Sequence, residues 1–172
     1  MKLRQIKIEH SSVQDRLLMR IATDASQEIL LWLTRRCVKL LWPALMALAQ
    51  KVPDIAMQSH PEAKSALLGM RHEAAVRDTD FSQPYDEAAR ERPLGQEPLL
   101  VARFHTRREE SGQLVLALLP AVGEGINVAL DEALLHSLCK LLQTVVKGAE
   151  WDIALSLPSG IGPVAGSAVT LN

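Results

Sequence analysis

The chain has 172 residues, 48% hydrophobic and 23% charged, enough for one packed core and too apolar for a disordered chain. Nineteen basic against twenty acidic side chains give a formal net charge of −1. The whole-molecule basic field of a typical nucleic-acid binder is therefore missing, and only a local patch could do that work.

The opening "MKLRQIKIEH" carries charges and no apolar run, so it does not read as a signal peptide. Leu3, Ile6 and Ile8 within it hint at a first strand. "DRLLMRIAT" (15–23) is clearer, with Leu17, Met19 and Ile21 on one face and Arg16, Leu18 and Arg20 on the other. "DASQ" supplies a turn and "EILLWL" (28–33) returns, so 15–33 is predicted to be a hairpin. Thr34 caps the helix that follows, whose apolar positions Val38, Leu41, Leu45 and Leu48 recur at helical spacing and which must end before Pro53. Pro43 falls about two turns in, where it costs ~3 kcal/mol unless the helix bends or divides at Trp42. The run around Leu40 is broken by Arg35, Arg36, Lys39 and Pro43, short of the ~20 residues a membrane span needs.

His60-Pro61-Glu62 starts a second helix with a modest stripe of Ala63, Leu67, Met70 and Ala74. From 77 to 98 the periodicity vanishes in favour of mixed charges and three prolines, a mobile polar connection by expectation. "LLVARFHTR" (99–107) and "QLVLALL" (113–119) then form strands across "REESG", and "GINVAL" (125–130) forms another. Asp131 caps a helix with Leu135, Leu138, Leu142 and Val145 on one side and Lys147 and Gly148 at its end. "WDIALSL" (151–157) is a candidate last strand, and 158–172 is expected to be a flexible tail. With Thr34 set on Asp131, Leu33 falls on Leu130, Val38 on Leu135, Leu41 on Leu138 and Leu45 on Leu142. The match suggests two similar β-β-α units, though any strand–cap–helix junction requires these residue types.

Chemistry-bearing residues are few. Cys37 and Cys139 match neither CxxC nor a zinc-ligand spacing and fall inside amphipathic helices, where cysteine serves as a small buried hydrophobe. A reduced, cytoplasmic compartment follows as the expectation. The five histidines are scattered, the glycines of "VGEGINV" and "SGIGP" suit turns, and no catalytic or metal motif appears, so no cofactor and no metal are expected. Arg35 and Arg36 sit at the positive end of a helix, which disfavours each by about 0.3–1 kcal/mol. With the free N–H groups there they could hold an anion; the plainer reading pairs one arginine with an acid and leaves the other solvated. Arg103, His105 and Arg107 alternate along one strand and share a face with Leu99 and Val101. If Arg16 and Arg20 join them, a basic stripe results, but aromatic partners for nucleic-acid bases are thin, with Phe104 on the other face and only Trp32 to serve. Leu30 and Trp32, and Val115 and Ala117, make their strands apolar on both sides, so the sheet's far face also needs a cover: the 61–76 helix, the tail or a second subunit.

The stretch "DRLLMRIAT…EILLWLTRRCVKLLWPAL" resembles a family of small proteobacterial proteins that share a hairpin followed by an LWLTRR-type strand–helix junction. The resemblance covers residues 1–50 best. It implies a bacterial cytoplasmic protein and carries no assigned activity or catalytic residue.

These readings predict one α+β domain over 1–157, an antiparallel sheet of about six strands with two main helices on one face. The expected function is non-catalytic: a protein-interaction or structural module with a protein partner or a second copy, using Leu30, Trp32 and Val115. The alternative is an anion or nucleic-acid binder using Arg35, Arg36, Arg103, His105 and Arg107.

Overall fold

The computed structural model of the protein describes residues 3–88 and 90–156; the tail expected at 158–172 lies outside them. Its elements run β1 (Leu3–Ser11), β2 (Arg16–Thr23), β3 (Glu28–Thr34), α1 (Arg35–Ala49), α2 (Pro53–Ala56), α3 (Pro61–Asp78), β4 (Leu99–Leu100), β5 (Arg103–Arg108), β6 (Leu114–Leu119), β7 (Ile126–Leu130) and α4 (Glu132–Gly148). The fold is α+β.

The expected hairpin forms, and β1 adds to it as a third antiparallel strand. Register places Ile6, Ile21 and Ile29, then Ile8, Met19 and Leu31, then His10, Leu17 and Leu33 side by side on one face. The period-2 alternation that was visible in β2 thus extends across three strands, and this face is where the core lies. A second antiparallel meander, β5–β6–β7, aligns Phe104, Leu118 and Ile126, and Thr106, Leu116 and Val128, on its own inner face. The turn before β7 needs glycine at 125, because a Cβ there would stand 2.1 Å from the Leu118 carbonyl oxygen.

The sheet is not the single six-stranded antiparallel layer expected from the sequence. It divides into β1–β2–β3–β4 and β5–β6–β7, and β4 runs parallel to β3. Extended chain from 99 to 108 serves both sheets in succession. Leu99 and Leu100 pair with Leu31 and Trp32; the Val101 N–H donates to the Trp32 carbonyl, and the next N–H, of Ala102, donates to Leu119 of the other sheet. Parallel pairing follows from the long crossover between β3 and β4, which brings the chain back to the same end of the sheet. The joint also changes which side chains share a face. Leu99 and Val101 join the core, whereas Arg103, His105 and Arg107 point outward, so the shared face predicted for all five is corrected.

Each meander ends in a capped helix. The Thr34 hydroxyl accepts from the Cys37 N–H at 3.1 Å and the Asp131 carboxylate from the Leu134 N–H at 2.7 Å. α1 continues through Pro43, which lies on the exposed side, so the carbonyl it frees can face water. The helices cross over: among the strands, α1 follows β3 yet packs chiefly against β5, and α4 follows β7 yet packs chiefly against β1. Cys37, Val38, Leu41, Leu45 and Leu48 of α1 meet Leu135, Leu138, Cys139 and Leu142 of α4 in one buried cluster with both inner sheet faces. Both main helices therefore shield the same side.

Two further expectations change. In α3 the buried residues are Leu68, Gly69 and His72, while Met70 is 60% exposed. Hydropathy favoured Met70, but packing on α4 selects the face that carries His72. Residues 151–156 form no strand. Their carbonyls are bonded by helix side chains instead: Trp42 Nε1 donates to Ser156 and Gln143 Nε2 to Leu155. With those acceptors satisfied, no ladder partner is needed.

Candidate interaction surface

The outer face of the first sheet is built from Gln5, Lys7, Arg20, Ala22, Glu28 and Leu30 at one end and Leu18, Trp32 and Leu100 at the other. The connection after α3 lies along the first of these ends. Glu28, only 4% exposed, is its anchor. Arg20 donates to one carboxylate oxygen from Nε (3.0 Å) and Nη2 (2.7 Å), Arg92 donates to the other from Nε (3.0 Å) and Nη2 (2.8 Å), and the Tyr85 hydroxyl donates at 3.0 Å. Burial pushes the Glu28 carboxyl up, but these donors outweigh it and hold it below the usual range. Burial and the Glu28 carboxylate push the Tyr85 phenol up to about 12. Glu87 adds bonds to Arg20 and Lys7, and Gln5 bonds the chain at Pro84 and Asp86. Arg20 lies 4.6 Å from the centre of the Tyr85 ring. The segment expected to be mobile is thus the cover that the far face required, and Ala22 and Leu30 are buried in the same region.

The cover stops short of the other end. Trp32 and Leu18 are half-buried and Leu100 is 43% exposed. Beyond the joint, β5 presents Arg103, His105 and Arg107, all exposed, opposite Leu119, Ala117 and Val115 of β6. Arg103 follows Leu100 by three positions, about 10 Å of extended chain. Arg103 donates to the Pro120 carbonyl at 3.3–3.4 Å and Arg107 pairs with Glu109 at 3.2 Å, both at the surface; His105 has no partner among the described residues. Of the three apolar residues singled out for contact, only Trp32 offers surface. Leu30 and Val115 are 9% and 4% exposed.

The structure does not bring Arg20 or Arg35 to a common open patch. Arg20 is consumed by Glu28 and Glu87. Arg35 forms a two-pronged pair with Asp15, 2.8 Å at each oxygen, and stacks over Trp151 at 5.3 Å. Arg35 and the Trp151 indole N–H hold the Asp15 carboxyl below its usual range. Arg36 is exposed, with no partner among the described residues. One arginine paired and its neighbour solvated is the plainer of the two sequence readings of that junction.

Two clefts at the ends of α4 gather no catalytic set among the described residues. One of about 630 Å³ beside the C-terminal half of α4 is lined by Lys140, Gln143, Thr144, Lys147 and Trp151, with no carboxylate or histidine. Another of about 340 Å³ contains Asp131 and Glu132, but the first caps α4 and the second is held by Arg71. Burial pushes the Cys37 thiol up to about 11 and the Cys139 thiol to about 12, so neither is a ready nucleophile. Among the described residues no three His, Cys, Asp or Glu side chains converge to hold a metal, and no helix is long and apolar enough to cross a membrane.

Sequence reasoning missed two constellations. The Glu28 clamp joins residues up to 64 positions apart, and only an acid inside an apolar strand, "EILLWL", could have signalled it. His72 and His136, 64 positions apart, meet between α3 and α4. The sole hint was a histidine at i+4 from Leu68. Comparison of the chain with protein-family models, with curated proteins and with solved structures returns no match.

Proposed function

We propose that this chain is a non-catalytic interaction module whose working surface is the strip Leu18–Trp32–Leu100 continued by Arg103, His105 and Arg107, and that its partner is a protein segment carrying acidic and apolar side chains. One observation supports this reading above the rest: cations on the covered end of the first sheet are neutralised inside the fold, whereas those on β5 are directed at solvent beside half-exposed apolar groups. Charge beside an aromatic anchor is the composition of binding hot spots. The LWLTRR-type resemblance and two buried free cysteines support a reduced bacterial cytoplasm as the setting.

A photo-crosslinker at position 105, compared with one at Val13 on the distant β1–β2 turn, tests the surface. Adducts from position 105 that vanish in an Arg103→Glu/Arg107→Glu chain support the reading. Equal adducts from both positions, or adducts indifferent to charge reversal, overturn it. Adducts between copies of the chain, with elution volume changing with concentration, would identify a second copy as the partner.

The same row would suit phosphates, which is the alternative reading. Phe104 packs toward the core and Tyr85 is held by Glu28 and Arg20, so among the described residues on that face Trp32 is left for bases to stack on. Retention on heparin that falls steeply with salt would favour it, and passage without retention at low salt would discard it.

A further inference from the structure

α3 is seated less deeply than the other long helices. It buries Leu68, Gly69 and His72, whereas α1 and α4 each bury seven residues. Polar contacts hold it to its neighbours. Arg71 bonds Glu132 of α4 at 2.9 and 3.0 Å and also reaches Asp54 of α2. His72 Nδ1 lies 3.2 Å from His136 Nδ1. Just past the helix end, the hydroxyls of Thr79 and Ser137 meet at 3.0 Å.

The histidine contact tolerates one arrangement of protons. Two facing Nδ1 atoms bond only when one donates and the other accepts. Among the described residues His136 Nε2 has no hydrogen-bond partner; it stands 3.9 Å from Glu132 Oε1, whose charge favours a proton on that nitrogen. The network therefore assigns His136 as acceptor at Nδ1 and His72 as donor. Both rings are buried, at 7% and 0% exposure, so an added charge has no water to solvate it.

The surrounding charges do not supply that solvation. Glu132 is already clamped by Arg71, and Arg71 opposes a proton on His136. Lys140 of α4 opposes one on His72, and Glu73 of α3 favours it. On β1, which also packs against α4, Lys7 pairs with Glu9 and Glu87, and Arg4 pairs with Asp86. Asp80, beyond α3, is bonded to Ser82. Burial, with these charges, pushes both imidazoles down to about 4.

We propose that α3 is an acid-released cover: protonation of the His72–His136 pair detaches it from α4 and exposes the α4 face that carries His136. Detached rings regain the ordinary value of 6.5. The open form then binds more protons than the closed form between the two values, so opening rises as pH falls through that window. Linkage gives about 50-fold between pH 6 and pH 5 for two such histidines and about 7-fold for one.

Hydrogen exchange of the α3 amides, corrected for intrinsic rates and referenced to β2 and β6, tests this on the full chain. The wild type is expected to show the two-histidine rise in α3 opening. A His72→Asn/His136→Asn chain, whose amides keep a donor and an acceptor without titrating, should show less than about twofold, and His72→Asn alone the one-histidine rise. Opening of α3 that is flat between pH 6 and pH 5, or that rises equally in the double variant, overturns the proposal. If the double variant does not fold, imidazole titration of the wild type decides. Rings that stay neutral until α3 exchanges support the proposal, and rings that titrate near 6.5 with α3 still protected overturn it.

Discussion

The two outer faces of this molecule start from the same kind of strand and end differently. On the first sheet, a carboxylate at the start of β3 draws in Arg20, Arg92 and Tyr85, and the connection around Tyr85, Glu87 and Arg92 lies over the strands. On the second, the corresponding strands carry Arg103, His105 and Arg107 with no buried acid among them, and their charges stay at the surface. On the first sheet an internal countercharge anchors the chain that closes the apolar outer face. The lesson is about Glu28 more than about hydropathy.

The strongest way to break that comparison is Glu28→Ala. Removing the shared carboxylate leaves Arg92 without its carboxylate and Arg20 with Glu87 alone, and should cost about 3 kcal/mol, toward the low end because Arg92 keeps 30% of its side-chain exposure. Urea denaturation measures it; a loss below 1 kcal/mol would show that the cover is decoration. The same carboxyl sets an acid limit. Its folded pKa lies below its ordinary 4.5, so its contribution is complete above about 4.5 and is lost as pH falls through the folded value. The Glu28→Ala chain should accordingly lose less stability below pH 4.5 than the wild type. The histidine pair acts at higher pH, between 6.5 and about 4, which separates the two effects.

Tyr85→Phe removes one donor to the same charge and should cost about 1.5 kcal/mol by the same measurement, with a cover that remains in place. The capped junctions are the control, since they are alike in both halves. Thr34→Ala and Asp131→Ala should each cost about 1 kcal/mol, and a large inequality would mean that the two halves are less alike than their topology. Arg103→Glu with Arg107→Glu should change stability least, by under about 0.5 kcal/mol, while abolishing the adducts at position 105. A substantial destabilisation would place those cations in the fold's internal accounts and remove them from the partner surface.

Much of the architecture was readable because its signals are local. The alternation in "DRLLMRIAT", the caps Thr34 and Asp131 and the stripes behind them name their own structure within a dozen residues. The misreadings came where a partner distant in sequence decides. Leu99 and Val101 turn inward because two consecutive N–H groups bond to different sheets. The 151–156 segment is no strand because Trp42 and Gln143 take its carbonyls. Of the candidate site, the alternation of Arg103, His105 and Arg107 was legible, but the exposure of Trp32 and the burial of Leu30 were not. Both depend on where the cover anchored at Tyr85 and Arg92 ends.

By itself the sequence determined the first hairpin, the strands around 114–130, and the two capped helices with the side of each that must be buried, since these follow from periodicity and from backbone groups that need nearby partners. Only the tertiary structure decided that the helices cross over to the opposite sheets, that Arg20 is buried against an acid while Arg103, His105 and Arg107 stay exposed, and that two distant histidines meet. Those outcomes depend on pairing charges and polar atoms across 60 or more residues of chain, and no local pattern encodes which distant group will supply the missing partner.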